Sequence, residues 1–230
     1  MVRKINFIIQ AKGGTGKSLY TYLRALAEKD KSSLFVDADN FAKTSSHQLH
    51  FLPESRRTTL VLQSGEQTES PSLNTFLENL CLLPIAGEIF IDFGCRESGY
   101  LLDLMLTDPD IAPVCDALGL DIHFHVIAAG GGAYYSCEQY FKWVVKIVDP
   151  WMDLTVWQNL GTFRPFPQLS YQLAQTCEKL DIPLRKFADF EQESYLGTRI
   201  LNGMINGLDL DSFERGPRLR LRHELNINFK

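Results

Sequence analysis

Long apolar runs are missing from this chain. No stretch approaches the roughly 18 uninterrupted apolar residues of a membrane-crossing helix, and the start, Met1-Val2-Arg3-Lys4 before a short apolar run, has neither the apolar core nor the small-residue cleavage site of a secretory leader. A cytoplasmic protein with no membrane partner is the expectation. Cysteine is also scarce. Cys81, Cys95, Cys115, Cys137 and Cys177 form an odd set without a CxxC pair, which argues against a disulfide framework or zinc ribbon and for buried reduced thiols. His47 and His50 stand three apart with no third ligand in view, so a metal site is not indicated there. Positive charge is in deficit as well: 23 Lys and Arg against 28 Asp and Glu leave a net charge of -5, against a surface coated for nucleic acid but compatible with a local basic patch. No internal repeat is visible.

What is present is an ordinary globular composition. A chain of 230 residues, 45% hydrophobic and 22% charged, is long enough to bury one sizeable core, so residues 1–230 read as one domain. Strand-like apolar runs fall at Ile5–Ile9, Leu34–Val36, Thr59–Leu62, Ile89–Ile91, Ile122–Ala128 and Leu154–Trp157. Between them, helical spacing predicts helices from Gly16 to about Lys29, over Leu73–Leu82, Tyr134–Val148, Gln168–Leu180 and Gln192–Ile205. Such alternation predicts a three-layer α/β fold, a mainly parallel twisted sheet with helices on both faces. Tyr134, Tyr135, Tyr140, Phe141 and Trp143 read as a helix packing face, Ser64–Ser72 as a surface loop, and Gly130-Gly131-Gly132 as a turn. At the end, residues 215–230 form a basic tail in which Arg218-Leu219-Arg220-Leu221-Arg222 alternates with period two; an extended edge and a helix are both open there. In extended form the three arginines point one way and could track phosphates.

The chemistry is concentrated after the first strand, in Lys12-Gly13-Gly14-Thr15-Gly16-Lys17-Ser18. Glycines let main-chain N–H groups approach phosphate oxygens with no Cβ in the way, and the helix that follows adds donors and a favourable dipole. In this arrangement Lys17 reaches the β- and γ-phosphates and Ser18 places its hydroxyl on Mg²⁺. Ala11 occupies the first glycine position of the standard phosphate loop, but Lys12 adds a second lysine. The form K-G-G-x-G-K-[ST] resembles the deviant Walker A motif of the ParA/MinD family of ATPases.

That resemblance implies further roles. Lys12 becomes the lysine that crosses a homodimer interface to the partner's nucleotide, supplying the positive charge that other enzymes obtain from an arginine finger. Leu19 stands among the nucleotide-contacting residues where relatives usually place a second threonine. In Leu34-Phe35-Val36-Asp37-Ala38-Asp39, Asp39 is expected to orient the attacking water and Asp37 to lie on the Mg²⁺ side. Asp92, ending Ile89-Phe90-Ile91-Asp92, looks like Walker B and would hold Mg²⁺ through water. Gly94 would begin a switch turn, and Asn159 is a candidate adenine contact, with an ordinary turn asparagine as the other reading. The family implies slow, partner-stimulated ATP hydrolysis, dimerisation on ATP, and positioning of a cargo: DNA, bound nonspecifically through Arg218, Arg220 and Arg222, as in plasmid partition, stability or conjugation. The alternative is a nucleotide-switched adaptor that recruits a protein in secretion, export or conjugation through the segment Phe41–Leu83.

Overall fold

The computed structural model describes residues 2–39, 47–60, 62, 73–83, 87–107, 111–148 and 152–229. Its strands are β1 (Arg3–Ile9), β2 (Leu34–Ala38), β3 (Arg57–Thr59), β4 (Ile89–Phe93), β5 (Leu120–Ala128), β6 (Asp153–Asn159) and β7 (Leu184–Phe187). They form one sheet in the order β3-β2-β4-β1-β5-β6-β7, and every pairing is parallel. The helices are α1 (Lys17–Ala27), α2 (Leu73–Leu82), α3 (Cys95–Thr107), α4 (Ile111–Leu118), α5 (Tyr134–Ile147), α6 (Leu160–Phe163), α7 (Pro167–Lys179), α8 (Tyr195–Ile205) and α9 (Arg215–Asn228).

Two apolar layers follow from the period-two geometry of the strands. Ile5, Phe7 and Ile9 of β1 face one layer, where they meet Phe76 and Leu77 of α2, Leu101 of α3, Phe141 of α5 and Leu173 of α7. Ile8 faces the other, with Leu19 and Leu23 of α1, Trp157 of β6, Ile200 of α8 and Leu221 of α9. The expected three-layer parallel fold is the observed one. Helix α5 buries Tyr134, Tyr140 and Phe141 as expected, while Tyr135 is exposed.

Several elements depart from the sequence reading. The third strand lies at Arg57–Thr59 rather than Thr59–Leu62, pairing Phe35 with Arg57 and Asp37 with Thr59. As a short edge strand it needs no apolar run. Strand β7, whose Arg185 and Lys186 are exposed, and helices α3 and α4 were not expected. Of the two forms left open for the basic segment, the helix is the one observed: α9 has Pro217 in its first turn, where a missing N–H costs nothing, and buries Pro217, Leu221 and Glu224. Arg218, Arg220 and Arg222 consequently do not point one way. Arg218 Nη1 donates to the Asp211 carbonyl at 3.3 Å and Arg222 pairs with the Asp211 carboxylate at 3.1 Å, whereas Arg220 pairs with Asp189 at 3.3 Å. Glu224 fastens this helix to the end of β7, accepting from the N–H groups of Ala188 (2.7 Å) and Asp189 (3.2 Å). The predicted loop Ser64–Ser72 lies outside the described residues, as does much of Phe41–Leu83.

One polar cluster sits inside the second layer. His125 is fully buried, accepts at Nδ1 from Trp157 Nε1 (2.9 Å) and stands 2.9 Å from Asn6 Oδ1 through Nε2. An indole N–H can only donate, so Nδ1 is bare and Nε2 carries the proton. Burial first, then the nearby His123, Arg24 and Arg185, push the His125 pKa well below its ordinary value.

Candidate functional site

The site is built at the carboxyl end of the sheet, where ligands gather in open α/β folds. After β1, the side chain of Gln10 is fully buried and ties the loop to its neighbours. Gln10 Nε2 donates to the Ile127 carbonyl of β5 (2.7 Å), and Gln10 Oε1 accepts from the Lys12 N–H (3.1 Å). The Gln10 N–H donates to Ser98 Oγ of α3 at 3.1 Å. Beyond this anchor, Gly14 and Gly16 take φ of +74° and +102°, which L side chains rarely adopt. Gly16 is doubly constrained, because a Cβ there would lie 2.5 Å from Asn159 Nδ2. Asn159 ends β6 and donates from that same Nδ2 to the Thr15 carbonyl at 3.0 Å.

This geometry leaves donors facing the cleft. Among the described residues, no main-chain hydrogen bond engages the N–H groups of Gly13, Gly14, Thr15 or Gly16. Gly16 begins α1 with no side-chain cap, and the buried hydroxyl of Thr15 has no partner. A concave run of main-chain donors at a helix start is an anion cradle. Lys17 is buried beneath it, its Nζ donating to the Gln10 carbonyl (2.9 Å) and to Cys95 Sγ (3.2 Å).

Carboxylates flank the loop on the other side. The parallel register pairs Asp37 of β2 with Asp92 of β4, and Asp92 with Ile8 of β1, so two buried acids stand side by side next to the loop. The Asp39 N–H donates to Asp37 Oδ1 at 3.0 Å, which fixes the turn between them. Gly94 has no room for a side chain: a Cβ would run into Glu97 Oε2 and stand 2.9 Å from Asp39 Cγ.

A cleft of about 360 Å³ joins these parts. Of the residues expected to act, Gly14, Thr15, Gly16, Lys17, Ser18, Leu19, Asp39, Asp92 and Asn159 line it. Gly13 is exposed, and a Cβ on it would stand 3.7 Å from Cys95 Sγ; Asp37 is buried and accepts from the Asp39 N–H, and Lys12 is exposed. Asn159 is buried, with its Nδ2 on the loop and its Oδ1 without a hydrogen-bond partner. Sequence reasoning assigned no site role to Gln10, Cys95 or Glu97, nor to Gln192, Leu201 and Met204, which line the same cleft as Asn159. The last three sit beyond β7, which was itself unread; Glu97 was legible only as the fourth residue of a turn starting at Gly94.

The residues present fit a nucleoside triphosphate with Mg²⁺. A glycine loop whose main-chain donors are not engaged by main-chain acceptors, a buried lysine, a hydroxyl at Ser18 and paired buried carboxylates are the donor set such a ligand needs. Among the described residues no cluster of three or more His, Cys, Asp and Glu forms a ready-made metal site, and no helix is long and apolar enough to cross a membrane.

No protein-family profile and no curated protein matches the chain by sequence. Solved structures do match by fold. A protein from Borrelia burgdorferi B31 assigned to plasmid partition, in a structure bound to AMPPNP, superposes with a TM-score of 0.57 at 16% identity, covering 99% of this chain and 98% of that one. A plasmid partition protein from Borrelia burgdorferi gives a TM-score of 0.50 at 15% identity, covering 89% of this chain and 97% of the other. The fold implied by the ParA/MinD resemblance is therefore the fold this chain has.

Proposed function

We propose that this chain is a cytoplasmic ATP-binding and hydrolysing switch of the ParA/MinD type. The observation that carries the reading is the loop at 13–18. Two left-handed glycines and Asn159 hold its donors open toward a cleft that also contains Lys17 and Asp92. Phosphates bind to these amides, Lys17 turns from the Gln10 carbonyl to the β- and γ-phosphates, and Ser18 and Asp92, with Asp37 beside them, hold Mg²⁺. Bound Mg²⁺ supplies charge neutralisation for the transferring phosphoryl group. Asp39 orients the water, and the base lies against Leu201 and Met204 with Asn159 Oδ1 and Gln192 in reach. Lys12, exposed on the loop, reaches the second nucleotide in an ATP-bound homodimer.

The test is light scattering after size-exclusion chromatography, with and without ATP and Mg²⁺, on the natural protein, Lys12→Ala and Asp39→Ala. ATP is expected to produce dimers of the natural protein, Lys12→Ala to remain monomeric, and Asp39→Ala to accumulate the dimer because hydrolysis is slow. A Lys12→Ala protein that dimerises and hydrolyses normally removes the trans-lysine mechanism.

For the cargo, DNA positioning in partition, stability or conjugation follows from the family resemblance and from what the fold neighbours are said to do. An adaptor that recruits a protein, with hydrolysis as timer, is favoured by one observation: Arg218, Arg220 and Arg222 are divided between two acidic partners on a packed helix. Gel shifts with ATP and Mg²⁺ separate the two readings. Salt-sensitive DNA binding lost in the triple alanine variant supports the first; binding unchanged by those substitutions removes the arginines from it, and no DNA complex at all supports the adaptor.

A further inference from the structure

Cys95 has no part in the reading above, yet it occupies the phosphate cleft. It is the first residue of α3, only partly buried, and lines the cleft together with Lys17 and Asp92. Its Sγ accepts a hydrogen bond from Lys17 Nζ at 3.2 Å and stands 3.7 Å from the position a Cβ on Gly13 would take. The sulfur therefore bounds the space between the loop and the lysine. Two further side chains mark that cleft as a ligand site independently of the cysteine. Thr15 Oγ1 and Asn159 Oδ1, each on a residue only 1% exposed that lines the cleft, have no hydrogen-bond partner. The other cysteines differ in setting: Cys115, Cys137 and Cys177 are buried, and Cys81 lies at the end of α2, with its Sγ directed to the Leu118 carbonyl at 3.9 Å.

We propose that Cys95 is a modification site through which low-molecular-weight disulfides such as glutathione disulfide exclude nucleotide from the cleft. This inference rests on the nucleotide-binding reading of the same site. The chemistry is thiol–disulfide exchange. The Cys95 thiol gives its proton to solvent and the sulfur attacks one sulfur of the reagent. A new Cys95–S–S–R bond forms, the S–S bond of the reagent breaks, and the departing RS⁻ takes up a proton as the free thiol. Cys95 is oxidised and half of the reagent is reduced, so no other oxidant is needed. A substituent on this sulfur has two effects that follow from the distances. It fills the gap between Gly13 and Lys17, where a phosphate must enter, and it displaces the Lys17 ammonium from the sulfur it now contacts. Bound nucleotide covers the same gap, so nucleotide and disulfide exclude one another.

The test uses full-length Cys81→Ser protein, which removes the other incompletely buried thiol, and glutathione disulfide as the probe. Intact-mass and peptide mass spectrometry locate the adduct, and titration with a fluorescent ATP analogue in Mg²⁺ reads binding. The expected result is one glutathionyl group, on Cys95, with loss of nucleotide binding, recovery on adding dithiothreitol, and slower modification when ATP and Mg²⁺ are present beforehand. Cys95→Ser is expected to bind nucleotide identically with and without the reagent, whatever its own affinity. Should that variant misfold, protection of Cys95 by ATP in the natural protein is an independent readout. A Cys95 adduct that leaves binding intact, a Cys95 that stays unmodified while Cys81 of the natural protein reacts, or inhibition persisting in Cys95→Ser overturns the proposal. Untreated protein that binds no nucleotide overturns instead the functional reading beneath it.

Discussion

Gly16→Ala is the substitution whose cost can be worked most fully from the geometry. An L-residue held at φ +102° carries backbone strain of ~1–2 kcal/mol. The added methyl also meets Asn159 Nδ2 at 2.5 Å, well inside van der Waals contact. That amide cannot yield without leaving the Thr15 carbonyl, to which it donates at 3.0 Å, and a buried acceptor stripped of its donor costs ~1–3 kcal/mol. The total, ~2–5 kcal/mol, is a large share of the ~5–15 kcal/mol that holds a typical domain together. Urea unfolding of Gly16→Ala, Asn159→Ala and the double variant separates the two parts. Asn159→Ala removes both the atom that is struck and the bond that is broken, so the double variant is expected to cost less than the sum of the singles by about 1–3 kcal/mol. Both single variants also loosen the cradle, so weaker ATP binding accompanies the loss of stability. Singles that add within about 0.5 kcal/mol, or a Gly16→Ala cost below ~1 kcal/mol, refute the claim that the loop and Asn159 are packed in this way.

Four further outcomes are expected. Ser18→Ala and Asp92→Asn each reduce the gain in ATP affinity produced by Mg²⁺ by roughly tenfold, while affinity in EDTA changes little; calorimetry with and without the metal reads the difference. Glu224→Ala strips the acceptor from two main-chain N–H groups at Ala188 and Asp189 and destabilises by about 1–3 kcal/mol in urea melts. His125 has a folded pKa depressed below its ordinary value of 6.5, so the unfolded chain binds its proton first as pH falls. Its contribution is complete above about pH 6.5 and is lost on acidification below that, by up to ~1.4 kcal/mol per pH unit; His125→Asn is expected to flatten this slope in unfolding measured between about pH 7 and 5. Arg220→Ala removes a half-exposed pair with Asp189 and changes stability by less than ~1 kcal/mol, because Asp189 keeps Arg164 at 2.8 Å.

The parts legible in the sequence are those where one physical signal acted alone. Ile5–Ile9 and Ile89–Ile91 are central strands buried on both faces, so their apolar runs are unbroken. Helix α2 emerged at Leu73–Leu82 as expected because Leu73, Phe76, Leu77 and Leu80 repeat at helical spacing. Where signals competed, the sequence left the choice open. In α9 the arginine-leucine alternation suggests a strand, but the buried set is Pro217, Leu221 and Glu224, spaced four and three apart. That helical pattern is disguised because one of its members is a carboxylate, buried for the hydrogen bonds it accepts from a neighbouring strand end. Strand β7 hides for a related reason: at the sheet edge, Arg185 and Lys186 leave only Phe187 buried. Within the site, the glycines and Lys17 could be read from spacing, since their chemistry is local. Cys95, Gln192 and Met204 could not, because each reaches the cleft through tertiary packing of elements far apart in the chain, and the role of Gln10 depends on its distant partners Ile127 and Ser98.

The position of β1 between β4 and β5 bears on how this protein is made. During synthesis the phosphate loop precedes every element that shapes it. Its acidic wall arrives with Asp92, the carbonyl that holds Gln10 with Ile127, and the amide that braces Thr15 only with Asn159. A nascent or truncated chain ending ahead of β5 carries the whole glycine loop in its letters and none of the bracing on that flank, so the cradle is completed late in translation.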